Sequence, residues 1–433
     1  MKENNIRAAF PYILCIITAV ITYLMIKMQI AAFVPVVCLI IAVASVVNLK
    51  LGLAIWFIVS PLSTLAADQI ESVPILFNPA IVMGALVNLM YRKKRLVVDS
   101  KALRFYMYVL ATTVLATLYY RYNETTFALI NFIMTIMISC LIIVVYNAYD
   151  EYYKNIGFSL MLSGLIAFSV AVTSNMEMES RLGLDGSVRQ LSNILSFSSM
   201  FIVLILFFYK EAINKNLRLV FIVALVPLIT GLILTVSRGS ILAFIVSVVL
   251  SLLLYFYKTK KIKTALVSMV NVFVFMIMVY FLFYDYVSNK FSEYISLLEK
   301  RFEQDELESG SDIRQYIWER VLSSFDDIEL FFGTGIGGFR YKSALVGVNF
   351  YSHSVYVDII ATCGLGVLAM VFIYLIVVFF KAYSETKMLA IGICLFMLLN
   401  FFSHGSVTSP LFWICLALCR SIVFKKSGPQ LNI

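Results

Sequence analysis

The sequence predicts an all-α fold: a polytopic integral membrane helical bundle of 12–14 transmembrane helices with one large extracytoplasmic loop domain. Three observations predict it. Of 433 residues, 61% are hydrophobic and 14% charged, with a mean hydropathy of +0.93. Soluble domains sit at roughly 45–50% apolar and about 25% charged. Apolar runs of membrane-crossing length, roughly 17–25 residues, recur along the chain, without the alternation of a β-barrel. One polar stretch, between Phe283 and Val355, is far longer than any other break.

Taken in order, the spans are delimited by charge. Lys2 and Arg7 precede the first, at 8–26, and Lys27 follows it. The second and third, 30–47 and 51–67, flank Lys50, and the fourth, 74–91, stops at the basic run Arg92-Lys93-Lys94-Arg95. Arg104 opens the fifth (105–120), and Lys154 stands between the sixth (127–146) and the seventh (156–174). Arg189 and Lys210 bracket the eighth (191–209). Arg238 divides the ninth (219–236) from the tenth (240–257), and Lys258 to Lys263 precede the eleventh (264–284). After the polar stretch come 355–380, 388–402 and 410–424. The third and thirteenth are short enough to be re-entrant. This divides the chain into spans at 1–284, the large loop at 285–354, and spans with a tail at 355–433.

Lysine and arginine set the orientation. With the N-terminus inside, 22 of the 34 basic residues fall in inner loops, and seven of the other 12 lie in the long loop. The net charge of +9 therefore reads as topology, with membrane lipids, anionic ones above all, as partners. Nucleic acid is not expected, because the basic residues are spread over many separate turns. The first apolar run lacks a small-residue cleavage pattern, so it is expected to stay as an anchor. All seven cysteines lie within predicted spans, which leaves no disulfide framework or thiolate zinc site. Cys415 and Cys419, one turn apart, read as packing residues.

Arg238 stands in Ser237-Arg238-Gly239-Ser240, a turn of almost no length between two spans. Its guanidinium keeps its charge and offers a planar five-donor fork. It fits either an interfacial anchor to lipid headgroups or a phosphate clamp facing the bundle interior. In the long loop, residues 311–325 read as an amphipathic helix. Ile313, Ile317, Val321 and Phe325 recur every four residues, and Trp318 and Leu322 widen the stripe. Ser311 is the expected N-cap. Arg314 then lies on or beside the polar side, as a solvated charge or a ligand-binding one. The acidic run 299–312 reads as a solvated linker, since it lacks the EF-hand ladder.

Gly333-Thr334-Gly335-Ile336-Gly337-Gly338-Phe339 lacks the Lys-Ser/Thr of a P-loop. Gly333, Gly335, Gly337 and Gly338 are expected to set a tight positive-φ turn close to the site. Arg340 and Lys342 follow and are candidates to face the same cavity. His353, just before the twelfth span, is either a polar helix cap or a general base. Asp358, one turn on, would orient it or serve as base itself. His404 is a second histidine candidate. A shorter outer loop, 175–190, carries Arg181 and Arg189 around Gly183 and Gly186.

Several features follow in a fixed order: an outer loop with arginine and glycine, Ser237-Arg238-Gly239 between two spans, and a large loop with Arg314 and Trp318 four apart. After them come Gly333, Gly335, Gly337, Gly338 and Phe339, then His353 before a helix that runs into Cys363-Gly364-Leu365-Gly366. Over roughly residues 175–380 this order resembles the O-antigen ligase and O-antigen polymerase superfamily of bacterial envelopes. The resemblance implies a multi-pass enzyme of the bacterial cytoplasmic membrane, both termini cytoplasmic, that transfers glycan from undecaprenyl pyrophosphate at the outer face. It implies no metal and no cofactor. It makes Arg238 and Arg314 the pyrophosphate ligands, with Arg189, Arg181 and Arg340 as weaker additions, and His353 the base. A chain-length regulator and a flippase are the expected protein partners.

Leu191-Ser192-Asn193 stands where the superfamily often has Asn-Pro-Asn, and His353-Ser354 where it often has His-Asn. Ligases often carry a further histidine at the place held here by Tyr351, which favours a polymerase of O-antigen, capsule or exopolysaccharide units over a ligase acting on lipid A–core. A lipid-linked glycan flippase or other transporter is the rival class. It would call for inverted repeats and ionisable residues at mid-membrane, and neither is visible.

Overall fold

The computed structural model describes residues 2–62, 73–92, 99–120, 122, 125–146, 152–174, 188–235, 237–260, 267, 314–348, 352–403 and 405–424. The eleventh span, the acidic run 299–312, Ser311, Arg181 and His404 lie outside the described residues, as does the Arg189 side chain. Among the described residues every regular element is a helix. Thirteen of the fourteen predicted spans coincide with helices, eight of them long and apolar enough to cross a membrane.

The chain opens with α1 (Lys2–Met28), α2 (Phe33–Val47), α3 (Leu49–Val59) and α4 (Val73–Arg92). Asn48 separates α2 from α3. Its backbone is extended and its side chain accepts the Lys50 N–H at 3.0 Å, so one residue ends a helix and caps the next. α3 departs from the expected span at 51–67. It has 11 residues, about 16 Å at about 1.5 Å per residue, roughly half a hydrocarbon core. Pro61 lies just beyond its end and has no N–H with which to continue the ladder. Every α3 residue except Lys50 is buried.

α5 (Ser100–Tyr120), α6 (Thr125–Tyr146), α7 (Tyr152–Ser174), α8 (Val188–Phe208), α9 (Lys215–Leu234) and α10 (Arg238–Thr259) follow. Then come a helix at 314–322, α11 (Asp327–Phe332), α12 (Gly338–Leu345), α13 (Val355–Ser384), α14 (Met388–Ser403) and α15 (Pro410–Val423). Small residues let helices approach closely. A Cβ on Gly84 would lie 2.6 Å from the Ala42 carbonyl, and one on Gly164 2.5 Å from Leu228. The last helices return to the middle of the chain, where the Tyr106 hydroxyl donates to the Trp413 carbonyl at 3.3 Å.

Polar ties mark the two ends of the bundle. At one end the Lys27 ammonium bonds the Thr173 carbonyl at 2.8 Å, where α7 closes and carbonyls go unpaired. At the other end Arg420 holds Asp99 at 2.7 Å, and Lys258 bonds the Tyr383 and Ser384 carbonyls. Burial works to raise the Asp99 pKa, but the Arg420 hydrogen bond and charge override it and hold the carboxyl below its usual range.

The twelfth span is not one continuous helix. α13 breaks at Gly364, where φ is 86° and ψ 167°, a region open to glycine. The break releases carbonyls that a straight helix would use internally, and the loop takes them. Thr334 donates to Ala361 O through its N–H at 2.8 Å and its hydroxyl at 3.0 Å, and Gly335 N–H donates to Thr362 O at 3.0 Å. Ile336 N–H reaches the Thr117 hydroxyl of α5 at 3.0 Å.

Candidate active site

Arg238 is the first residue of α10, and Ser237 is its N-cap. Beneath this turn lies a buried hydroxyl and carboxamide network. Ser240 Oγ is 3.2 Å from Asn193 Oδ1 and 3.1 Å from Asn400 Oδ1, and Asn400 Nδ2 donates to Asn193 Oδ1 at 3.0 Å. Ser192 and Ser237 reach Ser240 Oγ at 3.0 and 3.3 Å. The network joins α8, α10 and α14 and fixes the height of the Arg238 turn. The sequence showed Asn193 only as a departure from Asn-Pro-Asn and left Asn400 unremarked, although a carboxamide inside an apolar span needs a partner and was a usable signal.

Arg314 opens the described part of the 314–322 helix. One face of that helix is apolar: its Ile317 and Val321, with Phe325 just beyond its end, are buried with Phe339 of α12 and with Val357 and Ala361 of α13. Trp318, one turn beyond Arg314, donates its indole N–H to the Ser352 carbonyl at 2.7 Å and meets the Phe402 ring edge-on at 5.8 Å. The arginine helix is thereby fastened to the segment that carries His353. Arg314 is half-buried, and its pKa is lowered first by burial and then by the positive charge of Arg238. The fold thus holds two guanidinium groups within electrostatic reach of one another. Two like charges so placed would be balanced by a bound anion.

His353 is half-buried, one residue before the α13 N-cap Ser354, with φ at 52°. A histidine in the left-handed region is uncommon and is held there by its surroundings. The Trp318 bond to Ser352 and the start of α13 supply the two fixed points on either side.

Other candidates go elsewhere. Asp358 Oδ2 accepts the Val407 N–H at 2.8 Å, so this carboxylate fastens α13 to the turn between α14 and α15. Lys342 pairs with Glu329 at 2.6 Å. Arg340 is exposed on α12. The glycines are a joint rather than a cradle. Gly333, Gly335 and Gly337 have φ of 79°, 82° and 87°. A Cβ on Gly335 would lie 2.5 Å from the Thr117 backbone, and one on Gly338 1.8 Å from the Thr334 hydroxyl. They let the loop backbone lie against α5 and the broken α13.

The fold is that of a polytopic helical membrane protein, with Arg314 fastened through Trp318 to the segment that carries His353. A family model described as O-Antigen ligase matches residues 221–372, a stretch that contains Arg238, Arg314, the glycine loop and His353. Over this stretch, about a third of its length, the chain is similar to the O-antigen ligase family. No curated protein and no solved structure matches the chain.

Proposed function

We propose that the protein polymerises oligosaccharide repeat units carried on undecaprenyl pyrophosphate, at the outer face of the bacterial cytoplasmic membrane. The observation that supports this reading is that the 314–322 helix, tied by Trp318 to the segment bearing His353, holds Arg314 where it feels the charge of Arg238. A sugar hydroxyl of the acceptor attacks the anomeric carbon of the donor glycan. His353 takes the hydroxyl proton on an imidazole nitrogen as the new C–O bond forms. The bond from the anomeric carbon to the pyrophosphate oxygen breaks on the opposite face, which inverts the configuration. Negative charge builds on the departing diphosphate, and Arg238 and Arg314 neutralise it through charge-assisted hydrogen bonds.

Polymerase is preferred to ligase because Tyr351 stands where ligases often have a further histidine. Reconstitution with a short lipid-linked repeat unit tests the reading. A ladder of products supports it. A single transfer to lipid A–core makes the protein a ligase, and transport without a covalent product makes it a flippase.

A further inference from the structure

A cavity of about 240 Å³ lies at the end of the bundle away from Arg238. The bond from Lys27 to Thr173 joins the C-terminal ends of α1 and α7. Their N-terminal ends, together with the junction between α2 and α3, enclose the cavity. Its polar lining is Tyr12, Asn48, Lys50 and Asn155. The rest is apolar and includes Leu51 and Phe158, and no described lining residue is acidic. The Tyr12 hydroxyl donates to Asn155 Oδ1 at 3.4 Å and links α1 to α7 at this point. Lys50 is the one residue of α3 that is not buried, so rigid core fixes the backbone from which its ammonium extends. Beside Pro11, the outer face of α1 exposes Phe10 and Ile13, side chains that belong against hydrocarbon.

A cation and neutral hydrogen-bonding groups on an apolar floor suit a phosphate ester with hydrocarbon attached. Basic pockets between membrane helices recognise anionic headgroups in this way. We propose that the cavity binds the headgroup of an anionic phospholipid. Lys50 faces the phosphate, Asn48 and Asn155 meet its ester or glycerol oxygens, and Leu51 and Phe158 contact the root of an acyl chain.

The test uses the full-length protein in detergent, with bound lipid counted by native mass spectrometry after exposure to phosphatidylglycerol or phosphatidylcholine. The wild type is expected to retain phosphatidylglycerol about fivefold better, the preference that one basic side chain gives. Lys50→Gln should lose that preference, while Lys50→Arg and Arg320→Gln, on the loop helix at the other end of the bundle, keep it. Equal retention of the two lipids by the wild type overturns the proposal. So does equal loss in Arg320→Gln, or retained preference in Lys50→Gln. Displacement of phosphatidylglycerol by millimolar inorganic phosphate would reassign the site to a soluble anion and likewise overturn it. Size exclusion in phosphatidylcholine verifies that each variant is folded, and no readout depends on glycan transfer.

Discussion

At the scale of single residues, the proposed function rests on two guanidinium groups, and their substitutions should read differently from those of their neighbours. Arg238→Ala and Arg314→Ala are each expected to lower polymer formation by about 100- to 1,000-fold, the usual cost of losing one preorganised transition-state ligand. Arg238→Lys should not restore it, because an ammonium lacks the planar fork. The readout is polysaccharide ladder formation at equal protein level, and a normal ladder from either alanine variant would remove the clamp. Asp358 offers a sharper choice between roles. Asp358→Asn keeps an oxygen for the Val407 N–H and should retain most activity. Asp358→Ala strands that donor and should cost about 1–3 kcal/mol of stability. An inactive but fully stable Asp358→Asn protein would instead make this carboxylate the base. The charged residues were legible in the sequence because ionisable groups at membrane boundaries are few. Their partners were not: Asp358 meets Val407, 49 positions away, and no local pattern encodes that contact.

At the scale of elements, the site depends on how the loop is seated. The 314–322 helix was readable from its four-residue apolar repeat, since burying one stripe imposes that period. The break in α13 was not, because Cys363-Gly364-Leu365-Gly366 is apolar enough to pass as an uninterrupted span. The third span stood out as short enough to be re-entrant, and α3 is indeed short, but its end at Val59 was not readable: hydropathy measures solvent preference and is silent on where a helix stops. Gly335→Ala tests the seating. It forces a Cβ into a left-handed position at about 1–2 kcal/mol and adds a clash with Thr117. Lower thermal stability with a parallel loss of transfer is expected. Unchanged melting and activity would show that the contact with α5 is dispensable. Asn400→Leu should act through α14 and α10, reducing transfer more than it reduces the folded fraction, as measured by activity per folded molecule.

For the whole molecule, the Asp99–Arg420 pair ties α15 to the start of α5 at the end remote from the site. The folded Asp99 pKa lies below its unfolded value of about 3.9. Its contribution to stability is therefore complete above that value and is lost as pH falls through the lower, folded pKa. Melting temperature should drop on acidification from about pH 5 to about pH 3, and Asp99→Asn should flatten that slope while lowering stability at neutral pH. A wild-type slope retained in the variant would assign acid sensitivity to other groups. The broken α13 also bears on biogenesis. The loop arginines leave the ribosome before residues 361 and 362, whose carbonyls anchor the glycine joint. A nascent chain that has exposed Arg238 and Arg314 thus has no mooring for its loop until the final helices insert. Catalytic competence arrives late in synthesis, and truncation before α13 should yield a membrane-embedded but inert protein.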